Sequence, residues 1–123
     1  MKKILAVFAL IIFFCISCYY DNEENLYPVI SNTCDTTNVT FSGTISVMLN
    51  SNCYSCHSNT TAASFGNNIR LQDYSDVKAQ DQRVLGSIKQ DSGFSPMPKG
   101  GAKLNDCLIT QFDIWVKHGS PNN

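Results

Sequence analysis

Cys53-Tyr54-Ser55-Cys56-His57 sets two thiols three positions apart, with an imidazole directly after the second. This C-x-x-C-H run is the attachment signature of c-type haem. Two thiols at that spacing can add across the two vinyl groups of a porphyrin. The adjacent histidine can then reach the iron from the proximal side. Two other chemistries use similar residues. A thioredoxin-like redox pair normally sits within a βαβ pattern, and the chain has no such pattern. A zinc site needs about four ligands; Cys53, Cys56 and His57 are crowded for three of them, and His118 is the only other histidine. Covalent haem attachment takes place outside the bacterial cytoplasm, so the rest of the chain must say whether this protein is exported.

Met1-Lys2-Lys3 precedes an unbroken apolar run from Ile4 to Ile16. That run is too short to cross a hydrocarbon core of about 30 Å as a helix. A basic start with a short apolar stretch reads as a secretory signal peptide over residues 1–17. Cys15-Ile16-Ser17-Cys18 resembles a bacterial lipobox, with Cys15 where Leu or a similar residue is usual. The resemblance implies that Cys18 is acylated and becomes the mature N-terminus. More than one acyl chain would anchor the protein stably. Residues 18–40 hold four acids (Asp21, Glu23, Glu24 and Asp35) and no Lys or Arg. They read as a solvated acidic tether. Acids just behind the lipidated cysteine also resemble the surface-export signal of some Gram-negative lipoproteins. The expected location is therefore extracytoplasmic and membrane-anchored, on the periplasmic side or the outer-membrane surface.

Of the six cysteines, cleavage removes Cys15 and acylation uses Cys18. With Cys53 and Cys56 assigned to haem, Cys34 and Cys107 remain. In an oxidising compartment a disulfide between them is the default, with two separate thiols as the alternative.

The elements that must position these groups are short helices. Thr40 to Asn52 carries Phe41, Ile45, Met48 and Leu49 on one helical face, which delivers the chain to the motif. Ser58 to Asn68 is rich in Ser, Thr, Asn and Gly and reads as loop. Asp73 can cap a helix over Tyr74 to Gln80, and Gln82 to Lys89 predicts a further turn or two. Gly93 to Gly101 holds two prolines and three glycines and reads as irregular. The last helix has Asn105 as N-cap and a stripe of Leu108, Ile109, Phe112, Trp115 and Val116. Gly119 and Pro121 end it. Strand signals are almost absent, so the expected fold class is all-α: a small domain of short helices and long loops over residues 41–123.

Helix, C-x-x-C-H, Arg70-Leu71-Gln72-Asp73-Tyr74, Pro96-Met97-Pro98-Lys99-Gly100-Gly101, then a Trp-bearing helix ending Gly119-Ser120-Pro121: this order resembles a class I mono-haem cytochrome c domain. The resemblance covers roughly Phe41 to Asn122. It implies one covalent haem c per chain, held by thioethers from Cys53 and Cys56. His57 would be the proximal iron ligand and Met97, on a late loop, the distal one. The spacing from His57 to Met97 is shorter than in many larger cytochromes c, which leaves little chain to cover the haem edge. Two other side chains could reach iron. Met48 lies on the apolar face of the first helix, where methionines mostly fill core, and His118 ends the last helix, where a cation meets the helix dipole. The prolines beside Met97 stiffen its loop, and Phe94 could pack on the porphyrin. His/Met ligation closes the iron, raises its potential and favours electron transfer. The expected function is a one-electron carrier, not an enzyme. The alternative is a haem-based ligand-binding or sensor lipoprotein with an open iron position.

Net charge is −1 over 123 residues, which excludes the basic footprint of a nucleic-acid binder. The length suits one domain, and no phosphate loop or internal repeat occurs. From Cys18 onward seven basic residues face ten acidic ones, a net −3, whereas residues 41–123 carry seven against six, a net +1. Lys99 and Lys103 flank Met97 and could ring an exposed haem edge, as charged patches do in weak redox encounters. Arg70 suits a carboxylate such as a haem propionate. The expected partners are a protein electron donor, a protein acceptor and the membrane, with the chain itself a monomer.

Overall fold

Thr40 is where the chain turns helical. Its extended backbone and its Oγ1, which accepts from the Gly43 N–H at 3.0 Å, start a π-helical turn over Phe41–Ile45. The structure, a computed structural model, describes residues 34–123. The signal peptide, Cys18 and most of the tether lie outside the described residues.

The π turn runs directly into α1 (Ser46–Asn52). Phe41, Ile45, Met48 and Leu49 all point inward, at 9% exposure or less, so the spacing that predicted this helix is the spacing that builds the core. A short α2 (Tyr54–His57) follows after Cys53, whose N–H still bonds the Leu49 carbonyl at 2.8 Å. Then come α3 (Ala62–Phe65), α4 (Tyr74–Ala79) and α5 (Asp81–Lys89). The α3 turn replaces part of the loop expected over 58–68. Its start is fixed by hydroxyls rather than apolar spacing: the Ser58 N–H donates to Thr61 Oγ1 at 3.2 Å, and Thr61 Oγ1 donates to the Tyr54 carbonyl at 3.1 Å.

The longest helix is α6 (Asp106–Lys117). Asn105 Oδ1 caps it, accepting from the Leu108 N–H at 2.9 Å. Ile109, Phe112, Trp115 and Val116 are buried, while Leu108 is only half-buried. At its end the Ser120 N–H reaches back to the Trp115 carbonyl and the Gly119 N–H to Val116. Gly119 has φ 85°. That is a Schellman stop, in which glycine takes the left-handed position at no steric cost.

Aromatic packing joins the two ends of this unit. Phe41 lies 5.7 Å from Trp115 and 5.1 Å, edge-on, from Tyr74, and Phe112 meets Trp115 at 5.5 Å. The C-terminal residues stitch the same region. Trp115 Nε1 donates to the Pro121 carbonyl, Tyr74 to the Ser120 carbonyl, and the Phe41 N–H to Asn123 Oδ1. Buried Ser120 donates to Asp81.

Among the described residues all regular structure is helical and none is strand, which bears out the all-α class. The compact unit spans Cys34–Asn123, so it takes in the seven residues ahead of the first helical turn. Two contacts hold the extra segment: Cys34 is disulfide-bonded to Cys107, and Gln111 Nε2 donates to the Asp35 carbonyl at 2.8 Å. Asp35 is further tied to Thr37, whose hydroxyl and N–H both donate to it and lower its pKa. Among the described residues no helix is long and apolar enough to cross a membrane.

Candidate functional site

Cys53, Cys56 and His57 share one helical turn. The Cys53 carbonyl accepts from the N–H groups of both Cys56 (3.1 Å) and His57 (2.9 Å). The two thiols are not joined to each other, and they face different surroundings. Cys53 packs against the core, and burial pushes its thiol pKa up to about 11. Cys56 is exposed. Burial also raises the neighbouring Tyr54 phenol, with Cys53 and Asp73 adding to the shift.

His57 is oriented by the backbone just beyond the Gly66-Asn67-Asn68 turn. Its Nδ1 lies 2.8 Å from the Ile69 carbonyl oxygen. A carbonyl only accepts, so Nδ1 carries the proton, and in the neutral ring that leaves the lone pair on Nε2. Metal-ligating histidines are commonly held by such an outer hydrogen bond. Gly66-Asn67-Asn68 delivers the carbonyl to that place. Asn67 and Asn68 take φ of 51° and 60°, a left-handed conformation that Asn tolerates better than most residues. The Ile69 N–H then closes on Gly66, and the Leu71 N–H on the His57 carbonyl, each at 2.9 Å.

Gly66 is the tightest point of this wrap. A Cβ there would lie 2.4 Å from the Cys56 carbonyl oxygen and 2.9 Å from His57 Nδ1. Only a bare Cα lets the 62–69 segment lie against the motif. Gly66 and Ile69 are positions of the candidate site that motif reading missed. The Gly-Asn-Asn turn was the one available signal, and a backbone carbonyl leaves no mark in residue type.

Met97 lies on the segment between α5 and α6. It is half-buried, and its N–H donates to the Ser87 carbonyl at 3.0 Å. Lys99 and Lys103 beside it are exposed. Phe94 sets its ring over Gly86 of α5 and stays 41% exposed. Arg70, a candidate propionate partner, is already paired with Asp76, Nε to Oδ2 at 3.1 Å. Met48 is buried in the core, and His118 caps the end of α6 in solvent. Cys53, Cys56 and His57 are thus brought together, and Met97 is anchored separately on α5.

Among the described residues no three His, Cys, Asp or Glu side chains converge on a point that could hold a metal ion. The motif's donors are two unbridged thiols, Cys53 and Cys56, and the His57 imidazole. That donor set suits a macrocycle gripped at two thiols and one imidazole nitrogen. A shallow cavity of about 370 Å³ lies elsewhere, between Val47 and Met48 of α1 and Leu108 and Gln111 of α6. None of Cys53, Cys56, His57 and Met97 lines it. Comparison with known protein families, with curated proteins and with solved structures finds no match for this chain.

Proposed function

We propose that this chain is a lipid-anchored mono-haem cytochrome c that carries single electrons between redox proteins outside the cytoplasm. The observation that carries the reading is the C-x-x-C-H turn whose histidine is held through Nδ1 by the Ile69 carbonyl at 2.8 Å, leaving Nε2 as a ligand. Cys53 and Cys56 are the covalent anchors, His57 the proximal ligand and Met97 the distal one. Bound haem c supplies a one-electron iron couple, which a methionine ligand shifts to higher potential.

The chain's own residues do the rest. Cys53 fixes one attachment point to the core, and Cys56 holds the other at the surface, where a partner can approach. The Gly66 contact and the Ile69 carbonyl keep the imidazole from turning. Asp76, Asp81 and Asp113 are engaged by Arg70, Ser120 and Lys117 respectively. Acylated Cys18 would provide the membrane attachment, and the 18–33 segment the reach from it.

The test is an absorption spectrum of the mature protein made in a haem-attaching periplasm, taken ferric, ferrous and ferrous with CO. Sharp low-spin ferrous bands, a Met–iron charge-transfer band in the ferric form and no CO response are expected. Met97→Ala should lower the potential and admit CO. A wild-type spectrum that is five-coordinate and shifts with CO would replace the carrier by a ligand-binding or sensor lipoprotein. Colourless protein would remove haem altogether.

A further inference from the structure

The segment from Gln90 to Leu104 contains no helix or strand, yet it must place Met97 reproducibly. Its ties converge on one spot of α5. The Asp91 N–H donates to the Gly86 carbonyl and the Met97 N–H to the Ser87 carbonyl, both at 3.0 Å. Between these two bonds the Phe94 ring lies on Gly86 itself. A Cβ at Gly86 would fall 2.6–2.7 Å from Cγ, Cδ1 and Cδ2 of that ring. Those distances are closer than any real contact, and they involve the root of the ring rather than its tip. Glycine inside a helix lowers its stability relative to alanine, and the ring seated on its Cα is what an alanine would not permit.

We infer that the Phe94 ring, seated on the bare Cα of Gly86, holds the loop so that Met97 is presented as an iron ligand. Phe94 is on this account a positioning residue that decides whether the distal side is closed or open. The inference rests on the haem reading above. Without the ring, the loop is held to α5 by a few backbone hydrogen bonds, which open readily where solvent reaches them. With it, the span from Gly86 to Met97 is pinned at its start, its middle and its end.

The experiment compares wild type, Gly86→Ala, Phe94→Ala and Phe94→Tyr as holoproteins. The readouts are the ferric Met–iron band, ferrous CO uptake, the denaturation midpoint and hydrogen exchange of the Met97 amide. Gly86→Ala and Phe94→Ala should lose at least half of the Met–iron band, take up CO and exchange the Met97 amide on the order of tenfold faster. Phe94→Tyr keeps the ring atoms that touch Gly86 and should behave as wild type. If both disruptive variants keep the band and the amide protection, the inference is overturned while the haem reading stands. A wild type without the band sinks Met97 ligation instead, and amide exchange then still reports whether the ring holds the loop. Should Gly86→Ala fail to fold, Phe94→Ala decides, because it leaves α5 unchanged. A lowered midpoint with band and amide intact would make the contact structural only, and would also overturn the inference.

Discussion

Two regions supply the candidate ligands, and they are built differently. From Asn52 to Leu71 the backbone closes on itself: Cys53, His57, Ala62, Gly66 and Ile69 are linked by short hydrogen bonds between close neighbours in sequence. The loop bearing Met97 has few internal bonds and depends on α5 for its position. The first region is a local structure that needs only support from the core. The second takes its shape from outside, so it is the part that perturbation should reach first. On the proposed haem reading, a one-electron carrier would benefit from this division, with one ligand fixed while the other sets access and potential.

The largest expected effect comes from the covalent tie that closes the whole unit. Replacing the Cys34–Cys107 bridge, with 73 residues of sequence separation, by Cys34→Ser/Cys107→Ser should cost about 4 kcal/mol by the chain-entropy argument. Denaturant titration measures the total, and amide exchange shows where it falls. Cys107 lies in the first turn of α6, close behind the Met97 loop, so residues 97–109 should lose protection before residues 53–71. Equal loss in both would erase the contrast between the regions.

A smaller but sharper effect separates two glycines. Gly66→Ala drives a Cβ into the Cys56 carbonyl, a backbone atom that cannot rotate away, and should destabilise the protein by about 2 kcal/mol. It should also disturb the His57–Ile69 hydrogen bond, visible in the imidazole proton resonances. At Gly101, in the Met97 loop, the nearest atom to a new Cβ is Pro98 Cβ at 3.4 Å, an ordinary contact. Gly101→Ala should stay within about 0.5 kcal/mol of wild type, or gain slightly by restricting the unfolded chain. Reversal of that order would mean that the motif turn is the softer region.

Where the sequence was readable, one local rule was enough. The helical stripe of Phe41, Ile45, Met48 and Leu49, the Asn105 cap and the Gly119 stop each depend on nearby residues, and each stands where spacing placed it. What was unreadable depended on partners distant in sequence or on backbone atoms. Ala62–Phe65 is helical although its polar surroundings suggest loop, because Ser58, Thr61 and the Tyr54 carbonyl close its first turn. Cys34–Thr40 looks like tether by composition, yet Gln111 and Cys107 draw it into the unit. The seat of Phe94 was equally out of reach, because only the fold brings Gly86 beneath its ring. The C-x-x-C-H motif was evident at once, whereas the carbonyl that orients its histidine belongs to Ile69, a residue no motif would single out.

The finest distinction lies inside the motif turn itself. Cys53 faces the core with its pKa pushed up to about 11, and Cys56 faces water. In protein made without haem attachment, iodoacetamide should therefore discriminate between them. The thiolate is the nucleophile, and a group with a pKa of about 11 is roughly one part in a thousand ionised at pH 8. Burial limits access further, so Cys56 should be modified at least tenfold faster by peptide mass analysis, with the helical circular dichroism unchanged. The sign of the pH dependence is fixed by the same shift. Raising the pH toward 10 should speed Cys53 steadily, because its thiolate fraction is still climbing well above the ordinary thiol range. Equal rates at pH 8 would mean that Cys53 is not held in the core, and the motif turn would lose the inner anchor that distinguishes it from the Met97 loop.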